Sequence, residues 1–311
     1  MGGSGGSSPA PPSRERLREL VEHANQVADE AAYESEANRA LDEALRDYND
    51  RDVEGVGRHL EAVKKALGTY GEGAIELRYG GSVRKHTYVN GMSDVDVLAI
   101  VNETELANRS PQAVLREFAA RLRRRFPDTE VTPGKLAVTV RYADGTELQV
   151  LPALRTATGL RIARSVGEGW SNVVRPDAFA RKLTSVNQAR SGRVVPTIKL
   201  FKAMLDATGP PGMKLSGYHA ESLAIEAFEN YSGSLSHKDM VHHLCRSAAG
   251  AVLGPIRDRT GQSLHVDDYL GAPGSKARRE VAAHLGRLCK RIEAADRGRD
   301  ADAWRELLGD D

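Results

Sequence analysis

Cysteine is nearly missing from this chain of 311 residues, and so is any surplus of charge. Cys245 and Cys289 stand far apart and outside any Cys-x-x-Cys spacing, which excludes a disulfide framework or a zinc knuckle and fits a reducing cytosol. Both thiols are expected as small buried hydrophobes. Lysine plus arginine (44) almost cancels aspartate plus glutamate (43), so no global basic field advertises long nucleic acid, and phosphate binding has to come from local placement. No apolar run approaches about 18 residues, and the first twelve residues lack the charged start and apolar middle of a signal peptide. A soluble, cytoplasmic protein with no membrane partner is expected. No internal repeat of fixed period is visible. What is present is 40% hydrophobic residues, enough for the core of one large domain or two modest lobes.

Residues 1–12 (MGGSGGSSPAPP) are rich in Gly and Ser, then Pro, and resemble an appended, disordered linker outside the fold. After Ser13, a plausible N-cap, Leu17, Leu20, Val21, Ala24, Val27 and Ala28 keep helical spacing. Leu41, Ala44, Leu45 and Tyr48 resume it after a polar interruption, so two helices are expected here. Val56, Leu60, Val63 and Leu67 mark a third, stopped at Gly68. Ile75, Leu77 and Tyr79 alternate with Glu76 and Arg78 as in a strand, and Gly80-Gly81-Ser82 turns the chain toward a second strand, Asp94 to Val101. Ser110-Pro111 starts a helix with Val114, Leu115, Phe118 and Leu122 inward. Its end, Arg121 to Arg125, reads as a solvated run favoured by the helix dipole, with phosphate binding the alternative. Asp144-Gly145 joins Leu136–Tyr142 to Glu147–Leu151 as a hairpin. Pro152 to Pro176 is irregular and reads as a connection between lobes. Helices follow over 177–189, 196–207, 218–231, 237–253 and 275–296, with a short one near Trp304. The expectation is an α+β chain in two parts: residues 13–154, with N-terminal helices and a small mixed sheet, and residues 155–311, a helical lobe closing a cleft.

The stretch Gly80 to Leu98 carries the chemistry. Side chains two apart on a strand share a face at roughly 6.5–7 Å Cα spacing, so Asp94 and Asp96 point the same way. Two like charges there are unfavourable without a cation between them, and hard oxygen ligands select Mg²⁺ or Mn²⁺. Gly81 and Ser82 suit a phosphate turn, with Lys85 adding charge, although Gly-Gly-Ser by itself is a common turn. Lys199 and Lys202 fill the one polar wedge of a helix otherwise made of Ile198, Leu200, Phe201, Met204 and Leu205; they either face phosphate or solvate the helix. Ser216 is a phosphate donor or a helix cap, and Tyr218 stacks on a base or packs in the core. His242-His243 and His265-Val266-Asp267-Asp268 lack the spacing of a closed metal site and default to helix-face histidines and a capping Asp. Thr260-Gly261-Gln262-Ser263 reads as an ordered turn with no chemistry assigned.

Taken in order, Gly81-Ser82, Asp94-x-Asp96, the helix Lys199 to Leu205 and Lys214-Leu215-Ser216-Gly217-Tyr218-His219-Ala220-Glu221 resemble the nucleotidyltransferases built on the DNA polymerase beta palm. The resemblance is specific to the bacterial cGAS/DncV-like branch, the CD-NTases of CBASS anti-phage systems, and runs from about Leu41 to the C-terminus. It implies a small mixed-sheet palm flanked by helices plus a C-terminal helical lobe. It also implies NTP substrates, joined by metal-assisted phosphoryl transfer into a cyclic or short linear oligonucleotide that reaches a downstream effector. Gly81 and Ser82 would hold the triphosphate, Asp94 and Asp96 would ligate two Mg²⁺, and Lys202 matches the family's lysine better than Lys199.

One position departs from the family. Members carry an Asp three residues before a proline on the neighbouring strand, and here Gln149 precedes Pro152. An amide ligates Mg²⁺ weakly and cannot act as a base. Glu147, two residues away on the same face, either reaches toward the site or is a solvated strand residue. Three readings stay open: an altered metal site, catalysis with one metal dominant, or a nucleotide-binding sensor without turnover. The acceptor also stays open, between a nucleotide, a polynucleotide end, a protein hydroxyl and a small molecule.

Overall fold

A computed structural model describes residues 13–50, 52–70, 73–164, 168–211, 213, 215–258 and 266–310. The turn expected at Thr260–Ser263, the linker at 1–12, Lys214 and His265 lie outside these residues. The chain opens with α1 (Arg14–Asn49), capped by Ser13, whose hydroxyl accepts from the Arg16 N–H. Two helices were expected where one runs for 36 residues. The polar stretch near Glu34 contains neither Gly nor Pro, so nothing interrupts the backbone ladder, and from Tyr33 onward a different side of the same helix, with Ala37, Ala40 and Leu41, enters the core. Next come α2 (Val53–Leu67), a two-strand ribbon of β1 (Thr69–Tyr70) and β2 (Gly73–Ala74), β3 (Glu76–Tyr79), the short α3 (Gly81–Arg84) and β4 (Val95–Ile100). The palm is completed by α4 (Pro111–Arg125), β5 (Glu130–Pro133), β6 (Val138–Arg141), β7 (Glu147–Arg155) and β8 (Leu160–Ile162).

The main sheet runs β3-β4-β7-β6-β5, with β8 added beside β7. β4 and β7 are parallel and the other neighbours antiparallel, which makes the sheet mixed. The connection expected from Pro152 is partly strand: β7 continues through Pro152 to Arg155, and β8 pairs with its end. Pro152 lies between the last β6 partner, Val150, and the first β8 partner, Ala153, where a missing N–H disturbs neither ladder. Alternation in β4 divides its residues between two faces. Val95, Val97 and Ala99 enter the palm core with α2 and α4, while Leu98 and Ile100 join a small cluster with Ala153. Asp96 lies on this second face, toward the helical lobe.

That lobe consists of α5 (Pro176–Ala189), α6 (Val194–Thr208), α7 (Gly217–Phe228), α8 (His237–Ala251), α9 (Lys276–Gly298) and α10 (Asp302–Leu308). Its core takes in the C-terminal half of α1 through Tyr33, Leu41 and Leu45, so α1 braces the helical lobe rather than the palm. The arginine run at the end of α4 also has structural work: Arg121 donates to the Leu67 carbonyl (2.9 Å) and Arg123 to the Val131 carbonyl (2.8 Å). Both cysteines are free and buried. Among the described residues no helix is long and apolar enough to cross a membrane.

Candidate active site

A cavity of about 890 Å³ opens between the palm sheet and the helical lobe. Its palm wall is made by Gly81, Ser82, Lys85, Asp94 and Asp96, and its far wall by Lys202, Ser216, Tyr218, Glu221 and Tyr269. Eight of the residues singled out in the sequence line this cavity, and on the palm wall a local device sets the turn against Asp96. Gly80 donates to the Asp96 carbonyl (2.8 Å), which docks the turn on β4. Gly81 then adopts φ +44°, and a β-carbon there would fall 1.6 Å from Asp96 Oδ2. Glycine is required twice over, for the left-handed backbone and for the close approach. The Ser82 N–H donates to the Asp96 carboxylate. The turn thereby holds one acid of the pair against a serine hydroxyl that faces the cavity.

The second strand of the acid face is β7. Parallel pairing sets Gln149 opposite Asp96 and Leu148 opposite Val95, which brings Glu147 beside Asp94. Gln149 Nε2 donates to Asp94 Oδ2 at 2.5 Å, and Glu147 is held by Arg141 (Oε2 to Nη2, 2.7 Å). Burial, followed by the charges of Glu147 and Asp96, pushes the Asp94 carboxyl up to about 6. Asp96 is also raised, chiefly by burial, with Lys85 opposing. Carboxyls raised by desolvation and by neighbouring acids, Glu147 and Asp96 for Asp94 and Glu221 for Asp96, mark an acid face short of positive charge. Among the described residues no three His, Cys, Asp or Glu side chains form a ready metal cage. Asp94 and Asp96, with Glu147 adjacent, are an open oxygen donor set of the kind suited to a hard divalent cation that keeps some of its water.

Across the cavity the opposite balance holds. Glu221, fully buried, accepts from Lys85, from the Thr87 hydroxyl and from Lys202 Nζ (2.9 Å). Burial pushes its carboxyl up, and Lys85 and Lys202 outweigh that and hold it below the usual range. Lys202 is lowered by burial despite Glu221. One carboxylate thus holds two ammonium groups from different lobes at the cavity wall, with Lys85 also 5.2 Å from the Phe179 ring centroid and 5.5 Å from that of Tyr218. Tyr218 rests on Phe179 (centroids 4.5 Å apart), so it is both packed and cavity-lining. Ser216 caps α7 by accepting from the His219 N–H (3.2 Å) and lines the cavity as well. Neither role excluded the other.

Lys199 departs from expectation. It points away from the cavity, buried against α1, and donates to Asn49 Oδ1 at 2.5 Å. The helical wheel separates polar from apolar sides but not which neighbour each lysine meets, and α1 claims one side of the wedge. Sequence reasoning also missed Glu221 and Tyr269. Tyr269 accepts from the Ser216 N–H (3.0 Å) and bonds His219 Nδ1 (2.9 Å). Elsewhere, His242 faces Glu293 (3.4 Å), His243 Nε2 bonds the Ala227 carbonyl (3.0 Å), and Asp267 pairs with Arg278 (2.5 Å); these are structural contacts.

No family model matches the chain, and no curated protein matches it in sequence. Its fold does have solved counterparts, and they define a class: the nucleotidyltransferase fold of the cGAS/DncV-like CD-NTases, at low sequence identity. The Bradyrhizobium diazoefficiens CD-NTase CdnG, solved with GTP, superposes with a TM-score of 0.65 at 19% identity, covering 87% of this chain and 95% of that one. Escherichia coli DncV bound to 3′-deoxy GTP gives 0.63 at 14% identity, over 95% and 90%. Vibrio cholerae DncV, a cyclic AMP-GMP synthase solved with the linear intermediate 5′ pppA(3′,5′)pG, gives 0.62 at 10% identity, over 96% and 91%.

Proposed function

We propose that this chain is a template-independent nucleotidyltransferase that joins NTPs into a cyclic or short linear oligonucleotide, a signal for a downstream effector in anti-phage defence. One observation carries the reading: two raised carboxyls, one of them held against a Gly-Ser turn, share a cavity wall with Lys85 and face Lys202 on the other. Asp94 and Asp96 would hold Mg²⁺ or Mn²⁺, with Glu147 as the third acid in place of Gln149. Bound metal would supply the charge that activates a 3′-hydroxyl and neutralises the departing pyrophosphate. The chain's own groups do the positioning. The Ser82 hydroxyl and the backbone of its turn hold the triphosphate, Lys85 and Lys202 lie within reach of its oxygens, and Tyr218 offers a face to a base. The similarity in fold to a CD-NTase solved with GTP and to a cyclic AMP-GMP synthase solved with a linear intermediate supports the same chemistry. Purified protein given labelled NTPs, Mg²⁺ or Mn²⁺ and a phage-derived trigger is expected to release pyrophosphate. If Asp94→Ala with Asp96→Ala behaves identically to the native chain, the enzyme reading fails.

The bond from Gln149 to Asp94 favours a second reading, a nucleotide sensor without turnover. Calorimetry separates the two. Nucleotide binding without turnover, unchanged in Gln149→Asp, supports the sensor; turnover in the native chain, or gained by that substitution, supports the enzyme.

A further inference from the structure

We infer that an arginine-lined cleft beside the short helix α3 is a second anion site, which takes a chain of two or three linked phosphates. About 270 Å³ in volume, it is lined by Arg78, Arg84, Arg155, Arg175 and Arg181, with Asp177 the one acid among its lining residues. None of these residues lines the cavity of the acid pair. Arg78 is opposite Leu98 in the β3–β4 register, so it shares the sheet face of Asp96, one pleat further along. Arg84 ends α3, Arg155 ends β7, and Arg175 and Arg181 belong to the start of α5. Backbone bonds fix this frame. The β7–β8 turn closes from the Thr156 N–H to the Gly159 carbonyl (2.8 Å), and Leu160 and Val174 exchange bonds of 2.8 and 2.6 Å, which pins the residue before Arg175 to the sheet edge. Gly159 admits the approach, since a β-carbon there would lie 2.3 Å from the Val174 carbonyl oxygen.

Charge selects the ligand. Over the whole chain 44 basic residues are set against 43 acidic ones, so five arginines at one cleft are a local excess. Glu76 bonds both Arg78 and Arg155, and Asp177 bonds Arg84 at 2.6 Å. With these two acids and Asp258, which lines the adjoining apolar slot, five guanidinium groups stand against three carboxylates. Arg181 makes no ion pair among the described residues, and all five arginines are exposed and within reach of a ligand. Like charges gathered on a concave wall focus a field that draws an anion. Every cation here is an arginine, whose planar fork matches two oxygens of one phosphate group. Volume sets the size: the cleft lies just under the roughly 300–1,000 Å³ of sites that enclose a whole drug-sized ligand, so it takes the phosphates and leaves any nucleoside outside. The near-zero net charge disfavours an extended polynucleotide.

Calorimetry on the full chain without divalent metal, with inorganic tripolyphosphate as the probe, is expected to show a site that Arg155→Ala with Arg181→Ala weakens by about tenfold or more. The melting temperature of that variant stays level, since both side chains are exposed. Lys202→Ala, in the other cavity, keeps the arginine-dependent site. The readout is binding without metal, so it is independent of turnover at the acid pair. ATP bound as tightly as tripolyphosphate, and lost in the same variant, identifies a nucleotide tail as the source; tripolyphosphate bound the more tightly identifies free polyphosphate. No binding at millimolar tripolyphosphate, or binding that the arginine variant leaves unchanged, overturns the cleft. A preference for single-stranded RNA over tripolyphosphate overturns the assignment to a short phosphate chain.

Discussion

Asp96 and Glu221 are carboxylates on facing walls of one cavity, both desolvated and both influenced by Lys85, yet they are shifted in opposite directions. Glu221 has two ammonium groups and a hydroxyl bonded to it; Asp96 has one backbone N–H and lies near a second acid, Asp94. The difference separates structure from chemistry. A fully compensated buried acid fixes geometry, here the placement of two lysines drawn from different lobes. An under-compensated pair, raised by burial and by nearby acids, is a place where the fold leaves room for a cation.

Substitutions on the two walls should therefore fail in different ways. The largest effect is expected from Asp96→Ala, which should lower metal-dependent turnover by about 10³-fold or more while leaving the melting temperature level or higher. A melting temperature that drops with the activity would break the contrast. Glu221→Gln should do the reverse first: removing one partner of a buried ion cluster costs about 3–5 kcal/mol, to be read as a fall in the chemical-denaturation midpoint. Gly81→Ala should combine both signatures, because its β-carbon meets the Asp96 carboxylate in a left-handed turn that costs about 1–3 kcal/mol for other residues.

Titration sharpens the contrast. Asp94 is raised to about 6, so it gives up its proton only above that pH, and Mn²⁺ affinity measured by calorimetry should fall by about tenfold per unit as pH drops below it. For the apo protein the sign is opposite: a raised carboxyl costs stability as pH rises through the interval from its usual value to about 6. Asp94→Asn should remove that penalty, less than about 1 kcal/mol because the residue, although its carboxyl is partly desolvated, keeps much of its surface in solvent. Glu221 is lowered and stays ionised across the same window. The smallest effect is reserved for Lys199→Ala, expected to leave turnover unchanged because the side chain bonds Asn49, whereas Lys202→Ala should cost roughly 10²-fold.

Much of the palm wall was legible because its logic is local. Alternation put Asp94 and Asp96 on one face, a Gly-Gly-Ser turn preceded them, and Asp144-Gly145 announced the β6–β7 hairpin. Most helices of the second lobe were legible for the same reason, through apolar spacing. The far wall was not. Glu221 meets Lys85 across 136 positions of sequence, and no periodicity links residues brought together only by lobe packing. Lys199 and Lys202 share a wedge, and only the position of α1 decides which lysine faces the cavity. Pro152 hid the continuation of β7, because a proline ordinarily argues against an interior strand. The pairing of Glu147 with Asp94 depends on the parallel register of β4 and β7, which neither strand encodes alone.

That register leads to the most direct test. Two side chains of β7 lie on the acid face, and the account gives the role of third acid to Glu147, held by Arg141 and beside Asp94, and not to Gln149. Initial rates of Mg²⁺-dependent pyrophosphate release from NTPs decide between them. Glu147→Gln should fall to the level of Asp96→Ala, while Gln149→Ala keeps measurable turnover. The reverse order, or a Glu147→Gln chain as active as the native one, would contradict the account.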